Sequence, residues 1–211
     1  MISSPAYGGE EIIRFSSGTT LFVEENDVMK ESPRFLKLVM LAMMVAIGVV
    51  ISPILRIEGM CPMAHLINIV CAVFLGPGYA FACAFTIGIL RMTLMGIPPL
   101  ALTGAIFGAA LSGILYRLSG GKLIFAVIGE IIGTGIIGAL VSYPVMTLLV
   151  GKQGIGWAFY IPLFLGGTLI GGSIAFLFLS ALAKTGMLTS IQKQLGAKVY
   201  DKSHKSNIHN V

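Results

Sequence analysis

The chemistry open to this chain rests on a few polar side chains set inside long apolar runs: His65, Asn68, Arg91, Glu130, Ser142, Tyr143, Trp157 and Tyr160. An ionisable group held in a membrane-length apolar run is costly there and marks a functional site by default. His65 and Asn68 are three apart, which puts them on one face of a helix. Glu130 stands eight residues past Lys122, about 12 Å along a helix and near the middle of its segment. Arg91 stands 13 residues past Gly78, about 19 Å along and toward the far end of its own. Apart from Glu130, these groups gather toward one end and describe a small, partly polar pocket open to the outside. Each also has a plainer reading. Glu130 and Arg91 neutralise each other between neighbouring helices, His65 bonds a loop carbonyl, Trp157 and Tyr160 are interfacial aromatics, and Pro144 is only a kink.

Catalysis has little to work with. His65 is the one histidine inside the apolar runs, and no Gly-x-Ser-x-Gly elbow accompanies it. A single buried carboxylate provides no acid/base pair, and neither His-Glu-x-x-His nor a phosphate-binding Gly-x-x-x-x-Gly-Lys-Ser/Thr occurs. Cys61, Cys71 and Cys83 have no CxxC spacing and no ligand cluster, so neither metal nor disulfide is expected, and no cofactor is implied. Binding is the function class that remains.

A pocket of this kind needs helices to hold it. Six apolar segments run from Phe35 to Leu55, Pro62 to Leu75, Tyr79 to Ile97, Pro99 to Leu118, Leu123 to Leu149 and Trp157 to Ala183. About 20 apolar residues cross a hydrocarbon core of about 30 Å, so the second segment is short for a span. It is expected to start inside the membrane, after a loop from Arg56 to Cys61 that dips into the protein, because irregular backbone at depth needs protein or water to satisfy it. The runs are continuous rather than alternating, which excludes a barrel. The expected fold is all-α, an integral membrane bundle of six transmembrane helices. Composition agrees: 56% hydrophobic and 11% charged, with mean hydropathy +0.93, against about 25% charged residues in an average soluble domain.

Lys and Arg mark cytoplasmic flanks. Lys30, Arg34, Lys37, Arg117, Lys122, Lys184, Lys193 and Lys198 fall on the side of both termini, whereas the other side holds only Arg56 and Lys152. Both termini are therefore expected in the cytoplasm. The net charge of +5 is topological, so no nucleic-acid partner is expected. Residues 1–28 mix Glu and Asp with Gly, Ser and Thr and are expected to be a disordered extension. The sequence from Met29 reads like an alternative start. Residues 29–185 form the membrane domain, and 186–211 a solvated basic tail near anionic lipid. Gly104 and Gly108, Gly129 and Gly133, and Gly167 and Gly171 have the spacing of close helix crossings inside the bundle. Ala42 and Ala46 share that spacing, and amid Leu41, Met43, Met44 and Val45 they serve either the same internal packing or a smooth face that receives a partner's helix.

Longer motifs narrow the reading. The chain carries Leu41-Ala42-Met43-Met44-Val45-Ala46, Ile51-Ser52-Pro53-Ile54-Leu55-Arg56-Ile57, His65-Leu66-Ile67-Asn68, Leu75-Gly76-Pro77-Gly78 and Gly88-Ile89-Leu90-Arg91-Met92. It also carries Gly129-Glu130-Ile131-Ile132-Gly133-Thr134-Gly135-Ile136-Ile137-Gly138, running into Ser142-Tyr143-Pro144. With these it resembles the substrate-binding S components of energy-coupling-factor (ECF) vitamin transporters, among them the thiamine-precursor, ThiW-like type. The Ala-x-x-x-Ala and Leu-Gly-Pro elements are shared loosely by many S components, and the Gly-Glu and Ser-Tyr-Pro stretch is the more specific. The resemblance implies a six-helix protein of the bacterial plasma membrane that is not an enzyme and captures a thiamine precursor, hydroxyethyl-methylthiazole, from outside. It implies partners as well: a membrane T subunit, met by Ala42 and Ala46, and two cytoplasmic ATPases. The ligand-binding residues expected on this basis are His65, Asn68, Arg91, Glu130, Thr134 and Tyr143, with Arg91 holding Glu130 ionised. The rival class is a stand-alone secondary transporter of a small heterocycle, for which the two three-helix halves show no convincing inverted repeat.

Overall fold

The computed structural model describes residues 10–14, 20–24, 33–54, 56 and 60–200. Two short strands, β1 (Glu10–Arg14) and β2 (Thr20–Glu24), pair antiparallel, with Glu10 opposite Glu24 and Arg14 opposite Thr20. This departs from the disorder expected of residues 1–28 and adds a hairpin to an otherwise helical chain. Glu-Glu-Ile-Ile-Arg and Thr-Leu-Phe-Val-Glu contain the β-branched and aromatic types that favour extended backbone. The rest of 1–28, and Met29, lie outside the described residues.

The membrane part consists of α1 (Pro33–Ile51), α2 (Pro62–Leu75), α3 (Pro77–Met95), α4 (Leu100–Leu118), α5 (Leu123–Glu130), a π-helical stretch (Ile131–Gly138), α6 (Ala139–Leu148) and α7 (Tyr160–Lys184). The α5, π and α6 pieces run on as one 26-residue rod, Leu123–Leu148. That rod, α1, α3, α4 and α7 are long and apolar enough to cross a membrane. The chain is a multi-pass membrane protein, and α2 is its shorter apolar helix. Proline opens α2 and α3, where its missing N–H costs nothing. Gly96 closes α3 in the left-handed region (φ 61°) and bonds its N–H to the Arg91 carbonyl.

The short helix is the axis of the bundle. Every α2 residue except Met63 and Leu66 is buried, against α3, α4, α7 and the rod, whereas α1 buries only Gly48. Outward, the helices show the large apolar side chains that lipid solvates, among them Leu38, Phe81, Leu94, Leu169 and Leu177. Fourteen residues of α2 reach about 21 Å, about 9 Å short of the hydrocarbon core. The space beyond its N-terminus is what the site occupies.

Glycine spacing sets the helix crossings. A side chain at Gly129 would stand 2.6 Å from the Leu111 carbonyl, one at Gly133 2.6 Å from the Gly108 backbone, and one at Gly138 3.0 Å from the Gly104 carbonyl. The rod thus lies backbone to backbone on α4. Gly171 likewise brings α7 against the Pro62 carbonyl, and Gly167 makes room for the Met60 and His65 side chains. The paired glycines accordingly serve the internal packing expected of them. The widened backbone falls at Ile131–Gly138, ahead of Pro144, which sits inside α6.

At the opposite end the tail is docked rather than solvated. A further helix, α8 (Met187–Gln194), buries Leu188 and Gln192, and Leu195 follows them inward. The Gln192 amide donates to the Val73 carbonyl at 2.9 Å and to the Tyr116 hydroxyl at 3.2 Å. Tyr200 packs edge-on against Tyr116, with centroids 5.6 Å apart, and Lys37 donates to the Gly196 carbonyl. This corrects the picture of 186–211 as a free basic tail as far as residue 200. Leu188, Ile191 and Leu195 make one apolar stripe among the lysines. Residues 201–211 lie outside the described residues.

Candidate functional site

Above the N-terminus of α2 lies a cavity of about 480 Å³, at the end of the bundle away from the docked tail. Its wall includes His65, Arg91, Thr134, Tyr160 and Phe164, with Met60 and Cys61 from the loop ahead of α2. Arg56, Lys152 and Phe159 stand at the side of the loops, where Arg56 and Phe159 are exposed. Lys152 lies over the Phe159 ring at 5.6 Å. Met60 and Cys61 are the part of the Arg56–Cys61 loop that reaches the wall beside Arg56; residues 57–59 lie outside the described residues.

Beneath the wall three donors converge on one oxygen. His65 Nδ1 lies 2.9 Å from Glu130 Oε1, Asn68 Nδ2 donates to the same atom at 2.9 Å, and Thr134 Oγ1 donates at 3.0 Å. The α2 spacing puts His65 and Asn68 on one face toward Glu130, and Thr134 follows Glu130 by four residues on the rod. Asn68 Nδ2 also donates to the Ala105 carbonyl at 3.2 Å, tying the cluster to α4. All four side chains are buried, and Glu130 is 0% exposed. A carboxylate that collects three donors is well paired, as burial in lipid demands. Its other oxygen, Oε2, has no partner among the described residues. Gly108 makes the room for it, because a side chain there would meet Thr134 Oγ1 and stand 2.7 Å from Oε2. Donation from His65 Nδ1 leaves Nε2, beside Gly167, as the ring atom that can meet a ligand.

Residues 38–185 match the family model described as thiamine-precursor transporter protein (ThiW). The chain belongs to the ThiW family. No curated protein and no solved structure matches it. ThiW is a transporter family for a thiamine precursor, in keeping with the membrane-spanning helices, so the cavity is to be weighed as a place for small-molecule cargo.

Set against the expected ligand-binding residues of a ThiW protein, the geometry divides them. His65, Arg91 and Thr134 line the cavity. Asn68 and Glu130 lie behind that wall and hold His65 and Thr134 in place. Tyr143 is off the cavity, stacked against Trp157 with ring centroids 4.3 Å apart. The Arg91–Glu130 pairing is not formed. Arg91 Nη2 instead donates to Cys61 Sγ at 3.2 Å, and Cys61 in turn donates to the Ser52 carbonyl at 2.8 Å. Arg91 stands on α3 and Glu130 on α5, and depth along each helix does not reveal which partner either meets. Ser142 likewise bonds Thr103 at 2.6 Å, away from the wall. Tyr160, noted as an outer aromatic, is 1% exposed and lines the cavity, its hydroxyl without a partner among the described residues. Met60, Ile97 and Phe164 complete an apolar wall with no sequence signal beyond hydrophobicity.

Proposed function

We propose that this chain is the substrate-binding S component of an ECF-type, ATP-driven uptake system of a bacterial plasma membrane, and that hydroxyethyl-methylthiazole is the moiety it captures. The observation that carries the reading is the cavity itself: a partly polar chamber within a helical bundle, floored by His65 and Thr134 and walled by Tyr160 and Phe164. A thiazole offers one ring nitrogen and a hydroxyl for hydrogen bonds, and an apolar body for the Met60, Ile97 and Phe164 side. The chain has no nucleotide-binding motif of its own, so the energy comes from partners: a T subunit and two cytoplasmic ATPases. On this reading six helices, α2 included, cross the membrane and both termini are cytoplasmic.

Ala42 and Ala46 support the partner. Both are exposed on α1, so their spacing is not used inside the bundle, and Val39, Met43 and Ile47 around them form a smooth apolar surface. Small residues on such a surface let a second helix approach closely in lipid. Uptake of labelled thiazole into liposomes tests the reading. It is expected only when the chain is reconstituted with its T subunit and ATPases and ATP is enclosed with the ATPases. Uptake by the chain alone, driven by a proton gradient, would show a secondary transporter instead.

A further inference from the structure

Among the described residues Arg91 is a buried cation without an anion. It is 4% exposed and lines the cavity, and among the described residues its Nε has no partner and its one hydrogen bond is the weak one to the Cys61 sulfur. Among the described residues the carboxylate nearest in the fold, Glu130, is engaged by His65, Asn68 and Thr134. Burying an unpaired guanidinium costs several kcal/mol, a cost that a bound anion would offset.

The surroundings have the same sign. Arg56 and Lys152 are the other charged residues on the wall. Three helices also begin there: α2 contributes Ala64, α4 contributes Ala101 and α7 contributes Leu163 from their first turns. None of the three has an acidic residue in its first turn or a side-chain cap. Each N-terminus carries about half a positive charge, so three of them add to the field of Arg91 rather than cancel it. A neutral alcohol uses none of this potential. An oxyanion uses all of it, and the Tyr160 hydroxyl, buried and unpartnered on the same wall, supplies one more donor.

We propose that the cavity takes a precursor whose heterocycle bears an oxyanion, a phosphate monoester or a carboxylate, with Arg91 as its buried counter-ion and Arg56 and Lys152 at the entrance. The inference rests on the reading that this cavity holds the transported precursor, and it replaces the neutral alcohol by its charged form.

Calorimetry on the purified full chain tests it with hydroxyethyl-methylthiazole, its phosphate monoester, the corresponding thiazole carboxylate, and the aminopyrimidine alcohol with its phosphate. The expected result is that one thiazole anion binds at least about tenfold tighter than the alcohol; phosphate or carboxylate, whichever wins, identifies the group. Arg91→Gln should weaken binding of that anion by about 10- to 100-fold, and Arg91→Lys should retain most of the preference. Should Arg91→Gln not fold, the comparison on the unaltered chain decides alone. Glu58, in the adjoining loop, lies outside the described residues. A preference for anions that arises only in Glu58→Gln would assign Arg91 to Glu58 and overturn the inference. Alcohol binding as tight as either anion would overturn it too, while leaving the thiazole reading in place. Binding of the pyrimidine phosphate but no thiazole would keep the oxyanion site and sink the thiazole reading. No binding by any compound, or a co-purified phospholipid filling the site in native mass spectrometry, would overturn both.

Discussion

At the scale of single residues the account turns on Glu130 Oε1, where His65, Asn68 and Thr134 meet. Glu130→Gln keeps an acceptor oxygen and removes the charge. Hydrogen bonds to charged groups contribute about 1.5 to 3 kcal/mol, so ligand affinity measured by calorimetry should fall about 10- to 100-fold through misplaced His65 and Thr134. An unchanged affinity would show that the cluster is only structural. Gly108→Val tests the same cluster from α4, since even a Cβ there meets Thr134 and Glu130. Overpacking of this kind costs about 1 to 3 kcal/mol, and binding and melting temperature should fall together. The His65 and Asn68 face was legible because three-residue spacing on a helix fixes a common direction. The partner of Glu130 was not, because distance along two helices says nothing of how each is rotated about its axis.

At the scale of elements the decisive feature is α2, a helix shorter than the hydrocarbon core. The length of α2 was readable from its apolar run. The π stretch was not: four of its eight residues, Ile131, Ile132, Ile136 and Ile137, are ordinary helix residues, and the widening arises where Gly133 and Gly138 settle on the α4 backbone. The docked tail was obscured as well, since charge dominates the composition of 186–211 while docking depends on Leu188, Gln192 and Leu195. Gln192→Ala should leave the Val73 carbonyl and the Tyr116 hydroxyl unsatisfied, at about 1 to 3 kcal/mol. A thermal shift in detergent should then register a fall of about 2 to 4 °C for each kcal/mol. An unaltered melting temperature would mean that α8 contributes nothing to the fold.

At the scale of the molecule the proposed function assigns separate roles to two surfaces, the cavity at one end and the α1 face along the side. Ala46→Trp should retain ligand affinity while failing to co-purify with the T subunit and abolishing ATP-dependent uptake. Continued assembly and transport by that variant would remove α1 from the partner interface. The cavity can be tested without substitution, because the chain carries its own reporter. Cys61 is half-buried on the cavity wall, whereas Cys71 and Cys83 are buried among the helices. Mass spectrometry can follow maleimide labelling of the three thiols with and without a saturating thiamine precursor. The account predicts that Cys61 labels selectively in the empty protein and is protected when the precursor is bound. Labelling of Cys61 at the same rate under saturating ligand would place the precursor elsewhere and contradict the account.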